Sequence, residues 1–219
     1  MTRPTIITID GPAGSGKGTL AHRLAERLGY AHLDTGKLYR AVGLAVLDTG
    51  GDPADVAAAA AAARALDPAN LAAGALDNPA LAGEQAAGAA SKVAAIPEVR
   101  QALLAFQRDF AAHPPGGAAG AILDGRDTGT VVCPDAPLKF FVTASAEVRA
   151  DRRHKELLAR EEASIYARVL AEIKERDERD STRAISPLKP ADDARLIDTS
   201  SMDADAVLEA ALEFVAQSA

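Results

Sequence analysis

The sequence predicts an α/β domain, a mostly parallel five-stranded sheet with helices on both faces. A β-branched run, a glycine loop and an amphipathic helix open the chain. Short apolar runs then alternate with helical patterns almost to its end, and two helical stretches interrupt that alternation without adding strands. At 219 residues, 48% hydrophobic and 25% charged, the chain can bury a full core as one domain.

The first strand covers residues 5–9, which are apolar or β-branched. Gly11, Pro12, Ala13, Gly14, Ser15, Gly16, Lys17, Gly18 and Thr19 follow, and Leu20, Leu24 and Leu28 then mark one face of a helix that Gly29 stops. Glycines let successive backbone N–H groups converge on phosphate oxygens, Lys17 adds a positive charge, and the helix N-terminus adds its dipole. The ligand this segment fits is a nucleoside triphosphate. Gly18 stands where a hydroxyl residue usually follows the lysine, and Thr19 supplies that hydroxyl one position later.

Further strands are expected at 31–33, weakly, and at 121–123, 138–142 and 195–197. Helices between successive strands imply parallel crossovers, and ligands of such sheets lie at the carboxyl ends of the strands. The glycine loop and the segment Asp124, Gly125, Arg126, Asp127 both fall at such ends. The expected core is 1–49, 97–150 and 190–219. An insertion at 50–96 is alanine-rich and broken by Pro53, Pro68, Gly74, Pro79 and Gly83, so it reads as short helices packed through small residues. A lid is expected at 151–189. The charged stretch 149–183 holds ten Lys or Arg against nine Asp or Glu, the pattern of a solvated helix face. Within it Arg176, Asp180 and Arg183 share a face at i, i+4 and i+7, as a flap carrying arginines over a site requires.

The formal charge of −7 argues against nucleic acid held by bulk positive charge. Cys133 is the single cysteine, so no intrachain disulfide forms and its expected role is packing. His22, His32, His113 and His154 lack metal-ligand spacing and read as surface or packing residues, so any metal arrives with the nucleotide. No apolar run is long enough to cross a membrane, and the N-terminus lacks a secretory signal; the expectation is a monomeric cytoplasmic protein.

Phosphoryl transfer to an acceptor that is itself a phosphate requires no general base, because a phosphomonoester ionises with a second pKa of about 6. Arginines take over, and Arg40, Arg100, Arg126, Arg152, Arg153, Arg176 and Arg183 are the candidates. Asp124 ends an apolar run, either as a carboxylate near Mg²⁺ or as a turn residue before Gly125. Asp127, if buried, requires a partner.

Five blocks resemble the bacterial cytidylate kinases in family order: IDGPAGSGKGT at 9–19, LDTGKLYR at 33–40, AASKVAAIPEVR at 89–100, LDGRDTGTVVCPDAP at 123–137 and AEIKERDERDSTRAISPL at 171–188. The resemblance implies a P-loop nucleoside kinase that transfers the γ-phosphoryl group of ATP to CMP or dCMP with Mg²⁺, with Lys17, Arg126 and Arg183 at the reacting groups. Loop residues 11–19, Arg152 and Arg153 would hold ATP, and Thr19 and Asp124 would reach the metal through water. Thr35, Tyr39, Arg40, Gly125, Arg126 and Arg183 would surround the acceptor phosphate and sugar. Arg176 and Asp180 would reach the ribose, and Ser91, Arg100 and Asp127 the cytosine. The chain departs from the family in an insertion without strand patterns and in Thr35, where a serine is common. A kinase for UMP or AMP, and a nucleotide-binding module without turnover, remain as alternatives.

Overall fold

The computed structural model describes residues 5–72 and 74–217. Among them β1 (Thr5–Asp10), β2 (Ala31–Asp34), β3 (Gly120–Gly125), β4 (Leu138–Thr143) and β5 (Arg195–Asp198) form one sheet in the order β2-β3-β1-β4-β5. Every pairing is parallel. Each expected strand is present and runs one or two residues further than its apolar run, because the polar residues at the carboxyl ends still belong to the ladder. Asp10 pairs with Gly125, and both Ile9 and Asp34 pair with Asp124, so the functional segments end at one level.

Nine helices accompany the strands among the described residues: α1 (Lys17–Leu28), α2 (Thr35–Asp48), α3 (Val56–Ala65), α4 (Pro68–Ala72), α5 (Glu84–Val93), α6 (Pro97–Ala112), α7 (Ala146–Ala159), α8 (Tyr166–Thr182) and α9 (Ala204–Gln217). Two apolar cores cover the two faces of the sheet, as a parallel sheet requires. Ile7, Ile9, Leu24, Phe140 and Val207 pack one face with α1 and α9, and Leu38, Val42, Val93, Leu103 and Leu123 pack the other with α2, α5 and α6. A third, small cluster of Ala150, Leu157, Val169 and Ile173 joins α7 to α8.

The 50–96 stretch holds α3, α4, α5 and two short 3-10 turns, without a strand among its described residues. Small residues let α5 press onto α2: a Cβ on Gly43 would lie 2.7 Å from the Ala89 Cβ. This approach brings α5, and with it Ser91, beside Tyr39 and Arg40 of α2. One expectation about α8 is corrected. Arg183 is its C-cap, at φ −58° and ψ 139°, so it reaches the site from the chain leaving the helix instead of from a third turn of one face.

Candidate active site

The glycine loop turns from β1 into α1 with Gly16 as N-cap at φ 89°, a left-handed conformation that costs a residue with a Cβ. Gly14 is at φ 75°, and a Cβ there would lie 3.2 Å from that of Arg149. Ala13, Gly14, Gly16, Lys17, Gly18 and Thr19 line a cleft of about 750 Å³, and Arg152 and Arg153 of α7 line it from the other side. Gly11 and Pro12 are buried and do not line this cleft. Gly11 instead permits close packing, since a Cβ would meet the Val142 carbonyl oxygen at 2.0 Å. Ser15 lines a separate cavity of about 240 Å³ with Leu20, Arg152, Met202 and Val207. Arg152 is held there by donating to Thr199 Oγ1 and O at 2.9 and 2.7 Å.

A third cavity, of about 90 Å³, is lined by all eleven residues expected around the acceptor, from Thr35 to Arg183. It meets the large cleft at Lys17, Arg40, Ser91 and Arg176, which line both. Asp127 has the partner its burial demands, the Nη2 of buried Arg100. Burial works against the Arg100 charge, but Tyr39 and Asp127 outweigh it and raise the guanidinium pKa further. Asp180 accepts from Arg126 Nε at 2.9 Å and lies 3.9 Å from Arg176 Nε. Burial opposes ionisation of Asp180, yet Arg126 and Arg176 hold its pKa below the usual carboxylate range.

The cations outnumber their partners. Arg176 Nε and Arg183 Nη2 are buried without a hydrogen-bond acceptor among the described residues. Burial, then repulsion from Arg126, lowers Arg176 to about 10 and Lys17 to about 8. Unsatisfied guanidinium groups and a destabilised ammonium around the small cavity are electrostatically prepared for an anion such as a phosphate.

Some side chains are differently engaged than expected. The Ser91 hydroxyl accepts from Arg179 Nη1 at 2.7 Å, and Arg40 donates to the Leu81 carbonyl at 2.9 Å. Arg179 thus joins the site unforeseen, as do three other groups. Arg149, buried, donates to the carbonyls of Ala13 and Ala144 and to both oxygens of Asp177, tying the loop to α8. Asp10 accepts from the Thr128 N–H and hydroxyl and from the Gly129 N–H, which secures the helical turn Thr128–Val132 beneath Arg126 and Asp127. Burial raises Asp10 to about 6. Its strand-end position was the same signal that singled out Asp124. His32, expected as a surface or packing residue, instead contacts the Asp124 carboxylate at 2.8 Å.

Among the described residues no cluster of three His, Cys, Asp or Glu could hold a metal ion by itself. Asp124 Oδ2, buried near Gly18 and 3.9 Å from Lys17, and the exposed Thr19 lining the cleft are oxygen donors on this side. That donor set fits Mg²⁺, which keeps several waters and binds with phosphates instead of in an all-protein cage.

The family model for cytidylate kinase matches residues 7–217. The chain belongs to the cytidylate kinase family. It is 60% identical to a cytidylate kinase of Paramagnetospirillum magneticum over 211 residues, 96% of this chain and 97% of that one. To a cytidylate kinase of Rhodospirillum rubrum it is 59% identical with the same coverage. A solved structure from Eubacterium ventriosum, of an uncharacterized protein, shares the fold at TM-score 0.55 and 15% identity, covering 97% of this chain and 98% of that one. The small cavity is lined by the blocks at 33–40, 89–100, 123–137 and 171–188, together with Lys17 of the block at 9–19.

Proposed function

We propose that the chain transfers the γ-phosphoryl group of ATP to CMP or dCMP, giving ADP and the diphosphate. The observation that carries this reading is the junction of two cavities at Lys17 and Arg176, one bordered by the glycine loop and one by Arg126, Asp127 and Arg183. A donor and an acceptor bound on either side would bring two phosphates together there, and positioning with charge neutralisation is most of what phosphoryl transfer asks of a protein.

In this reading the loop N–H groups and Lys17 hold the donor phosphates, and the cavity behind Ser15 takes the donor base between Leu20, Met202 and Val207. Arg152 and Arg153 close over the donor from α7, with 151–189 acting as the lid. Arg126, Arg176 and Arg183 hold the transferred group and the acceptor phosphate, while Arg176 and Asp180 also bear on the ribose. Asp127, oriented by Arg100, accepts from the exocyclic amine of cytosine; uracil turns a carbonyl oxygen to that position and is repelled. Thr19 and Asp124 would hold Mg²⁺ through water, and the ion would supply charge neutralisation for the donor phosphates. Because one polypeptide supplies both sides, a monomer suffices. No described helix is long and apolar enough to cross a membrane, and the single cysteine is buried, which suits a cytoplasmic setting with soluble substrates.

The test is ADP release across a panel of ribo- and deoxyribonucleoside monophosphates. Turnover with CMP or dCMP well above UMP and AMP is expected. A flat response to every acceptor would leave a nucleotide-binding module without this activity.

A further inference from the structure

We propose that His32 is a positioning residue whose Nε2–H holds the buried Asp124 carboxylate away from Lys17, keeping the lysine free for a bound triphosphate. The inference rests on the donor-site reading of Lys17 given above and extends it to a side chain outside both nucleotide cavities.

Asp124 closes β3 with its side chain only 2% exposed, and its neighbours are arranged unequally. Oδ1 is 2.8 Å from His32 Nε2, a full hydrogen bond. A carboxylate can only accept, so Nε2 carries the hydrogen. Oδ2 faces Lys17 Nζ at 3.9 Å, beyond hydrogen-bond reach. The Asp124 main chain is pinned separately, its carbonyl accepting from Thr35 Oγ1 at 2.8 Å, so the carboxylate is free to move only about its side-chain torsions. His32 is the group that resists that movement.

Remove the imidazole donor and a buried carboxylate is left with Lys17 as its nearest cation. A shift of about 1 Å brings the two into direct hydrogen-bonded contact. Away from bulk water that ion pair is strong, and a triphosphate would have to break it before using the lysine. His32 therefore acts on phosphate binding through Asp124, without touching the nucleotide.

The test is ATP binding by titration calorimetry, first in EDTA and then with Mg²⁺, in the full chain and its His32→Leu, His32→Gln, Asp124→Asn and His32→Leu/Asp124→Asn variants. His32→Leu is expected to weaken metal-free ATP binding roughly tenfold, while His32→Gln, which restores an N–H donor, stays within about threefold of the parent. In the Asp124→Asn background the His32 substitution should change affinity less than about twofold, since the group it restrains has lost its charge. Unchanged affinity in His32→Leu, even alongside a lowered melting temperature, overturns the proposal, and so does an equal loss in both backgrounds. If His32→Leu does not fold, His32→Asn replaces it with the same expectations, its shorter side chain carrying the donor short of Oδ1. The calorimetry needs no acceptor, so a failure to phosphorylate CMP would leave this test intact. A null result for His32 would likewise leave the kinase reading intact.

Discussion

In the proposed reading, the donor and acceptor sides of this site are built in opposite ways. The phosphate cradle of the donor side is one contiguous loop, Gly11 to Thr19, whose shape comes from backbone conformation and from the packing of Gly11 and Gly14 against β4 and α7. The acceptor side is assembled from α2, α5, α6, the end of β3, α8 and the residue after α8. It is held by charge pairs such as Arg100–Asp127 and Arg126–Asp180. A backbone cradle tolerates changes in distant segments, whereas a cavity of paired charges depends on every element that delivers one.

That contrast can be broken most sharply at the junction. Lys17→Met removes the one ammonium common to both cavities, and kcat should fall roughly 10²- to 10³-fold for every acceptor alike. Steady-state kinetics with CMP, dCMP and UMP checks this, and a loss confined to one acceptor would place Lys17 on the acceptor side.

The acceptor side should respond selectively. Asp127→Asn leaves Arg100 buried beside a neutral amide, and the preference for CMP over UMP should drop roughly 10- to 100-fold while the KM for ATP stays close to the parent value. An unchanged CMP to UMP ratio would remove Asp127 from base recognition.

The smallest effect concerns the joint between the two sides. Asp10 ends the strand that feeds the loop, and its side chain holds the Thr128–Val132 turn of the acceptor side. Burial raises its pKa from 3.8 to about 6, so between those values the folded chain binds more protons than the unfolded one. Stability from this group is then full below about pH 4 and is lost as pH rises through 6. Denaturant melts of the parent and Asp10→Asn across pH 4 to 7 should differ in slope, the parent falling relative to the variant. Parallel curves would mean that Asp10 does not titrate in this window.

Legibility followed the same division. The strand runs at 5–9, 121–123 and 138–142 were readable because the central strands β1, β3 and β4 are buried on both faces and so nearly continuously apolar. At the edge, β2 and β5 each bury one residue, and the signal at 31–33 was correspondingly weak, whereas the run at 195–197 was still readable. Lys17, Arg126 and Asp127 stood beside glycines or strand ends, where local chemistry marks them. His32, Arg149 and Arg179 carried no such mark, because each matters through a partner 92, 28 or 88 positions away: Asp124, Asp177 and Ser91.

Local chain chemistry determined the loop, the alternation of strands and helices and the kinds of side chain available, since backbone preference and apolar periodicity act over a few residues. The pairing of charges was decided only in three dimensions. Which arginine a buried aspartate meets depends on how closely helices approach, as Gly43 lets α5 approach α2, and on how the sheet aligns Asp10, Asp34 and Asp124. A cation is useful to a phosphate only when no nearer carboxylate claims it, and that competition is settled by distances that tertiary packing sets.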